Sequence, residues 1–284
     1  MIVHIILRYS RLRDVQCYQN DPLVLQFLGM GSIPSASTVS RMLFNMDAPS
    51  VDKLVELIQG LVIERLRLLN LKRITIDFDG SVLTTNGHAE ETAVGFNPKK
   101  KGQRSYYPLF ATVAQLDQVL SVLHRSGNVH DSHNAKDFIT RVVELVRKAL
   151  PNAVIEVRAD SAFYSEELLF NLERLQAQCT VSVSFESYAN LKKVVESRKR
   201  WRRVDKEFSG FDRNWKADSW PKERRFIFVK KKVKKQQKGP IQLDLFVRHE
   251  ERHEFKAIVT NKNKSIKSIV LFHHGRGSQE KIFG

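Results

Sequence analysis

The sequence predicts an α/β protein: a mixed sheet flanked by helices, with an N-terminal helical region and an inserted β-rich basic module. Three observations carry that expectation. The apolar period is helical over residues 1 to about 70, changes to strand alternation at Lys72, and then returns in an order of three strands, helix, strand, helix, strand. The segment from about 187 to 264 alternates again, but with a dense basic charge. Hydrophobic residues make up 42% of the 284, enough to build a buried core.

In the N-terminal region, Val51, Leu54, Val55, Leu57, Ile58, Leu61 and Val62 recur at helical spacing, with Ser50 as a candidate cap. The preceding IPSASTVSRMLF has small capping residues before a short helix. It is read either as a packing helix or as the second half of a DNA-binding helix pair. In KRITIDFDGSVLTT, Ile74, Ile76 and Phe78 fall on one face of a strand, and Thr75, Asp77 and Asp79 on the other. A basic loop with Lys99, Lys100, Lys101 and Arg104 follows, then the strand-like runs YYPLFATVAQ and QVLSVLHRS. A helix is expected from Asn134, with Phe138, Ile139, Val142, Val143 and Val146 inward and Pro151 closing it. AVIEVRAD predicts a buried strand ending at Asp160, SEELLFNLERLQAQ a helix from Ser165, and TVSVSF a further strand. The four segments predict the boundaries 1–70, 71–186, 187–264 and 265–284.

Charge narrows the partners. Against 31 Asp and Glu stand 47 Lys and Arg, a formal net charge of +16. Such a surface favours a polyanion, because each neutralised phosphate releases condensed counterions. The opening MIVHIILRYSRLRD has too short an apolar run to span a bilayer and no small-residue cleavage site, so neither secretion nor membrane insertion is expected. Cys17 and Cys179 have no pair spacing and are read as free thiols of a reducing cytoplasm.

Asp79 and Asp160 are the candidate chemical centre. In an open α/β sheet, side chains at strand carboxyl ends project into a shared crevice. Two carboxylates held there repel unless a proton or cation lies between them. Mg²⁺, hard and oxygen-seeking, suits a site of few carboxylates plus water and phosphate. Each acid also has a plain structural alternative: Asp77 and Asp79 as solvated strand residues, Asp160 as the cap of the next turn. Near the end of the chain, Glu280 is the candidate third carboxylate. A rival motif, HEERH at 249–253, fits the zinc-protease spacing with His249 and His253 as ligands and Glu250 as base. That chemistry needs a helix, whereas both flanks alternate like strands, so a chance match is expected. The His130 and His133 pair is likewise read as loop residues.

The stretches ITIDFDGSVLTTNGHAEETAVGFNPKKKGQRSYYPLFATVAQLDQVL, RSGNVHDSHNAKDFI, VIEVRADSAFYSEELLFNLE and HHGRGSQEKIFG, in this order, resemble bacterial insertion-sequence transposases of the DDE class. The similarity is greatest to the group with a β-rich insertion between the second Asp and the Glu. The resemblance implies an RNase H-like fold with an Asp-Asp-Glu metal site: Asp79 in Asp-Gly-Ser, or Asp77 on the same face, then Asp160 in Arg-x-Asp-Ser, then Glu280. It implies Mg²⁺ as cofactor with Mn²⁺ able to substitute, double-stranded DNA at element ends and target DNA as partners, and a homodimer when assembled on DNA. Arg276, one helical turn before Glu280, is the implied phosphate contact, while His273 stands where the family carries a Tyr. Lys99, Lys100, Lys101, Arg104, Arg202 and Arg203 are expected along the DNA backbone, with Trp201 as a base-stacking candidate or else part of a small core with Trp215 and Trp220. The chain ends four residues after Glu280, so a shortened C-terminal helix is expected, and with it the alternative of an inactive DNA-binding remnant. The expected location is the bacterial cytoplasm, at the nucleoid.

Overall fold

The structure, a computed structural model, describes residues 2–9, 11–95, 97, 100–130, 132–185, 188–217, 220–232, 246–248 and 253–276. Two compact units divide the chain, Met1–Leu57 and Ile58–Gly284.

The smaller unit holds α1 (Ile2–Ile6), a tight helical turn at Leu12–Cys17, α2 (Pro22–Leu28) and α3 (Ala36–Phe44), and the start of α4 (Ala48–Leu68). Local chemistry sets these boundaries. The Asp21 carboxylate accepts from the Leu23 and Val24 amides, Pro22 takes the first helical position, and Gly29 closes α2 at φ 61°. The hydroxyl of Ser35 caps α3 by accepting from the Thr38 amide. The expected cap at Ser50 is corrected: α4 starts at Ala48, and the Asp47 carboxylate accepts from the Ser50 amide at 3.0 Å. A carboxylate ahead of Pro49 serves the open helix end better than a hydroxyl one turn inside it. Toward the end of α4 the buried side chains are Val62, Ile63 and Leu66, whereas Ile58 and Leu61 of the expected stripe are exposed.

The larger unit is built on one sheet. In chain order its elements are β1 (Arg73–Gly80), β2 (Leu83–Thr84), β3 (Ala93–Val94), β4 (Arg104–Tyr106), β5 (Leu109–Val113), β6 (Gln118–Leu123), α5 (Ala135–Ala149), β7 (Val154–Ala159), α6 (Glu166–Arg174), β8 (Gln178–Val183), α7 (Ala189–Glu196), β9 (Arg202–Arg203), β10 (Phe208–Trp215), β11 (Arg224–Lys232), β12 (Phe246–Arg248), β13 (His253–Thr260) and α8 (Ile266–His274). Strand order among the described residues is β6-β5-β1-β7-β8-β13-β11-β10-β9, with β12 also pairing β13. The hairpin β5–β6 lies antiparallel beside β1, and β7 and β8 then follow parallel to β1. The β-rich segment continues this sheet: β13 pairs antiparallel with β8, placing Thr260 beside Thr180. Lys100 and Lys101 of the expected basic loop lie in a turn, and Arg104 just after it opens β4 of a small second sheet, β2-β4-β3.

Helices cover both faces of the sheet. On one side Ile74, Ile76 and Phe78 meet the predicted stripe of α5, with Phe78 edge-on to Phe138 at 6.1 Å, and Leu168, Leu169 and Leu172 of α6 complete that core. Each such fully buried side chain contributes about 1.5–3 kcal/mol. On the other side Ile266, Ile269 and Val270 of α8 pack on Ile227 and Ile258. That second face is why β1 buries Thr75 and Asp77 as well as its apolar residues. The three tryptophans build a core: Trp215 and Trp220 lie 5.7 Å apart and pack against Tyr188 and Phe226. Among the described residues, no helix is long and apolar enough to cross a membrane.

Candidate active site

β1 and β7 run parallel and adjacent, with Asp77 opposite Arg158. Extending that register by two residues sets Asp79, near the carboxyl end of β1, beside Asp160, just past β7. Strand alternation keeps all four side chains on one face. Neighbouring strands are about 4.8 Å apart, so the two acids share one edge. Asp79 is half-buried and lies opposite Phe110 of β5. A Cβ at the next residue, Gly80, would lie 2.7 Å from the Tyr107 ring, so a larger side chain there requires that ring to shift.

Asp160 does two things. Its Oδ1 accepts from the Ser161 amide at 2.7 Å, capping the tight turn Ser161–Phe163, while Oδ2 accepts from Arg276 Nη2 at 2.7 Å. The capping alternative for Asp160 therefore holds, and it leaves the second oxygen to Arg276.

Asp77 is engaged differently. Fully buried, it takes a two-point ion pair from Arg158, with Nε at 2.5 Å and Nη2 at 2.6 Å. Burial pushes its carboxyl above the usual range, and Arg158 pulls it back down. The third arm of Arg158, Nη1, donates to the Phe272 carbonyl at 2.8 Å, and the guanidinium covers the Phe272 ring. A Cβ at Gly275 would collide with Arg158 Nη1. Asp77 and Arg158 thus form a buried clamp that docks the end of α8, and Arg276 follows two residues past the helix.

His273 docks the same helix. It is buried, hydrogen-bonded to Ser182 Oγ at 2.9 Å and Thr180 Oγ1 at 3.1 Å on β8. Burial pushes its pKa down to about 3. The unfolded chain takes up a proton near pH 6.5 that the folded chain refuses until near pH 3, so stability falls as pH drops through that window. The slope from this group is up to about 1.4 kcal/mol per pH unit. Melting temperature measured against pH should therefore fall less steeply below pH 6.5 in His273→Gln than in the parent; equal slopes would contradict this.

The other expected residues fall as follows. Lys100 and Lys101 are exposed, and Lys99 lies outside the described residues. Arg104 is half-buried, donating from Nε to Thr92 Oγ1 at 2.9 Å and also to the Thr92 carbonyl, so it braces the small sheet. Arg202 and Arg203 are exposed on β9, with Arg203 Nε donating to the Asp205 carbonyl. Trp201 lies edge-on to Phe211 at 4.7 Å, with Lys230 over its ring at 4.9 Å. Glu280 lies outside the described residues, as do His249 and Glu250; His253 opens the strand β13, in keeping with the expected strand flanks of that motif. Among the described residues, no group of three or more His, Cys, Asp or Glu side chains converges as a metal site. Arg158, His273 and Gly275 escape sequence reasoning as a docking set, although Arg158 stands in the Arg-x-Asp motif itself. Buried Arg125 escapes it too, with Nε donating to the Tyr107 carbonyl and its guanidinium over the Tyr107 ring.

An antiparallel hairpin beside β1, two parallel strands beyond it and helices on both faces define the RNase H-like class of α/β folds. The family described as transposase DDE domain, group 1, matches residues 1–283, and the chain belongs to that family. No curated protein matches. Among solved structures, a piggyBac transposase synaptic complex with hairpin DNA is similar at 10% identity and a TM-score of 0.45, over 73% of this chain and 39% of that one. A Mos1 transposase paired-end complex with the left transposon end is similar at 7% identity and a TM-score of 0.28, over 60% of this chain and 58% of the other. A pre-cleavage Mos1 transpososome is similar at 8% identity and a TM-score of 0.26, with the same coverage. The chain therefore spans roughly two fifths to three fifths of these proteins' lengths.

Proposed function

We propose that this chain cleaves DNA phosphodiesters and transfers strands at insertion-sequence ends, using Mg²⁺, with Mn²⁺ as a substitute. One observation supports the proposal: the parallel register that sets Asp77 opposite Arg158, continued by two residues, brings Asp79 and Asp160 to the same carboxyl edge. The donor set fits a hard divalent ion, being carboxylate oxygen on one edge, and Arg276 already supplies a positive charge to Asp160 there. Asp79 and Asp160 would hold the metal, with Glu280 as the third carboxylate. Bound there, divalent metal supplies activation of an attacking hydroxyl and stabilisation of the departing oxygen.

The protein's own part is positioning. The Asp77–Arg158 clamp fixes the end of α8, and with it Arg276 beside the acids. A phosphate drawn to Arg276 would lie at the same edge, and Lys100 and Lys101, both exposed, would add positive charge for the backbone. Asp79, rather than Asp77, is the first ligand in this proposal, because Asp77 is fully buried in its two-point pair with Arg158, whereas Asp79 and Asp160 are part-exposed. The partners are double-stranded DNA ends and target DNA, and a homodimer on paired ends is the working assembly. The working division of labour is a helical region at 1–70, a catalytic core at 71–186, a basic β-rich segment at 187–264 and a C-terminal catalytic helix from 265. The setting is a bacterial cytoplasm, consistent with a net charge of +16 and two free cysteines.

The test is nicking of supercoiled plasmid by the full chain with Mg²⁺ or Mn²⁺, run beside Asp160→Asn. Nicking by the parent alone supports the proposal. DNA binding without nicking would make the chain a non-catalytic DNA-binding protein, and equal nicking by both would expose a contaminant.

A further inference from the structure

The sheet has a second charged edge. Where β8 begins, β13 ends and β11 begins, the register aligns Thr180, Thr260 and Arg225. This lies back from the edge that holds Asp79 and Asp160: Thr180 is level with Arg158, two residues short of Asp160. Arg224 is three residues back and three strands across from Asp160, roughly 17 Å by a rise of about 3.3 Å and a strand spacing of about 4.8 Å. A cleft of about 270 Å³ opens there, its polar lining including Glu173, Lys222, Arg224, Arg225, Asn261 and Lys262.

Glu173 in the lining, and Glu156 behind it through Lys262, each serve two cations. Glu173 accepts from Arg224 Nη1 at 2.5 Å and from Lys222 Nζ at 2.6 Å. Glu156 Oε1 accepts from Arg73 Nη1 at 2.6 Å and also from Lys262 Nζ. Arg225 is already matched, by Asp212 and by the carbonyls of Lys262 and Lys264. Glu223, also in the lining, offsets part of the excess, and a positive balance is left. Lys262 and Arg224, each paired with a carboxylate, are nearly buried, at 5% and 8% exposure. The Arg224 Nε, buried, donates to no protein acceptor. A buried guanidinium donor without a protein acceptor, on a residue that lines a cationic cleft, calls for an anionic oxygen, and planar guanidinium beside ammonium matches a phosphate.

We propose that this cleft is a phosphate-binding site, separate from the acid edge and taking one phosphate group, either from DNA backbone or as the free anion. No single phosphate spans the roughly 17 Å between Arg224 and Asp160. The site stands independently of the catalytic proposal, since it invokes neither acid nor metal.

The test is calorimetric titration of the full chain with inorganic phosphate, beside salt-dependent binding of a short DNA duplex. Lys222 is largely exposed, so Lys222→Gln leaves the fold in place. It should weaken phosphate binding about threefold to tenfold, while Glu173→Gln, which removes the competing carboxylate, should tighten it by a similar factor. If the phosphate comes from DNA, Lys222→Gln also lowers the slope of log affinity against log salt by about one. An unchanged slope with weakened phosphate binding assigns the site to the free anion. Phosphate affinity unmoved by both substitutions, with the fold intact by circular dichroism, would overturn the site.

Discussion

Arg158→Ala should cost the folded chain about 3–5 kcal/mol, read from urea denaturation. The substitution leaves Asp77 fully buried without its two-point partner and takes a donor from the Phe272 carbonyl. An uncompensated buried carboxylate is among the most expensive defects a core can hold. The clamp itself need not be strongly stabilising, because desolvating both ions offsets most of their attraction. Replacing the pair together, as Asp77→Leu with Arg158→Met, should therefore recover most of the loss. A single-variant cost under about 1 kcal/mol would mean that Asp77 is not relying on Arg158. Even the stable double variant should lose DNA cleavage, since the end of α8 and Arg276 would no longer be fixed at the acid edge.

Asp160→Asn should lower metal-dependent nicking at least about 100-fold, the upper end of what losing even an outer-shell partner costs a metal site. The fold should hold. An Asn side-chain oxygen can still accept from the Ser161 amide, so the capped turn survives. What disappears is the charge that attracts Arg276 and would bind the ion. Loss of nicking with an unchanged melting temperature would therefore assign the effect to chemistry and not to folding.

Much of this arrangement was legible in the sequence because it is local. Alternation of Ile74, Ile76 and Phe78 marks β1, the stripe on α5 marks its buried face, and the Arg-x-Asp-Ser run marks the end of β7. The docking set was not legible, for a physical reason. Asp77 and Arg158 meet only through the parallel register of strands 81 positions apart, and no local period encodes that register. The same holds for His273, whose partners on β8 lie about ninety positions back. Sequence patterning identified the β-rich segment as strands, but a period of two does not say which sheet a strand joins; its pairing with β8 does. The cap at Asp47 was missed because Ser50 satisfies the same composition rule one turn later. Glu280 rests on the resemblance alone.

Asp79 and Asp160 are proposed to bind a divalent ion jointly. Mn²⁺ titration of the DNA-free full chain, followed by loss of the free-ion electron paramagnetic resonance signal, measures this without any cleavage step. Asp79→Asn and Asp160→Asn should each weaken Mn²⁺ binding at least about tenfold relative to the parent. Mn²⁺ bound equally by the parent and by both variants would contradict the claim.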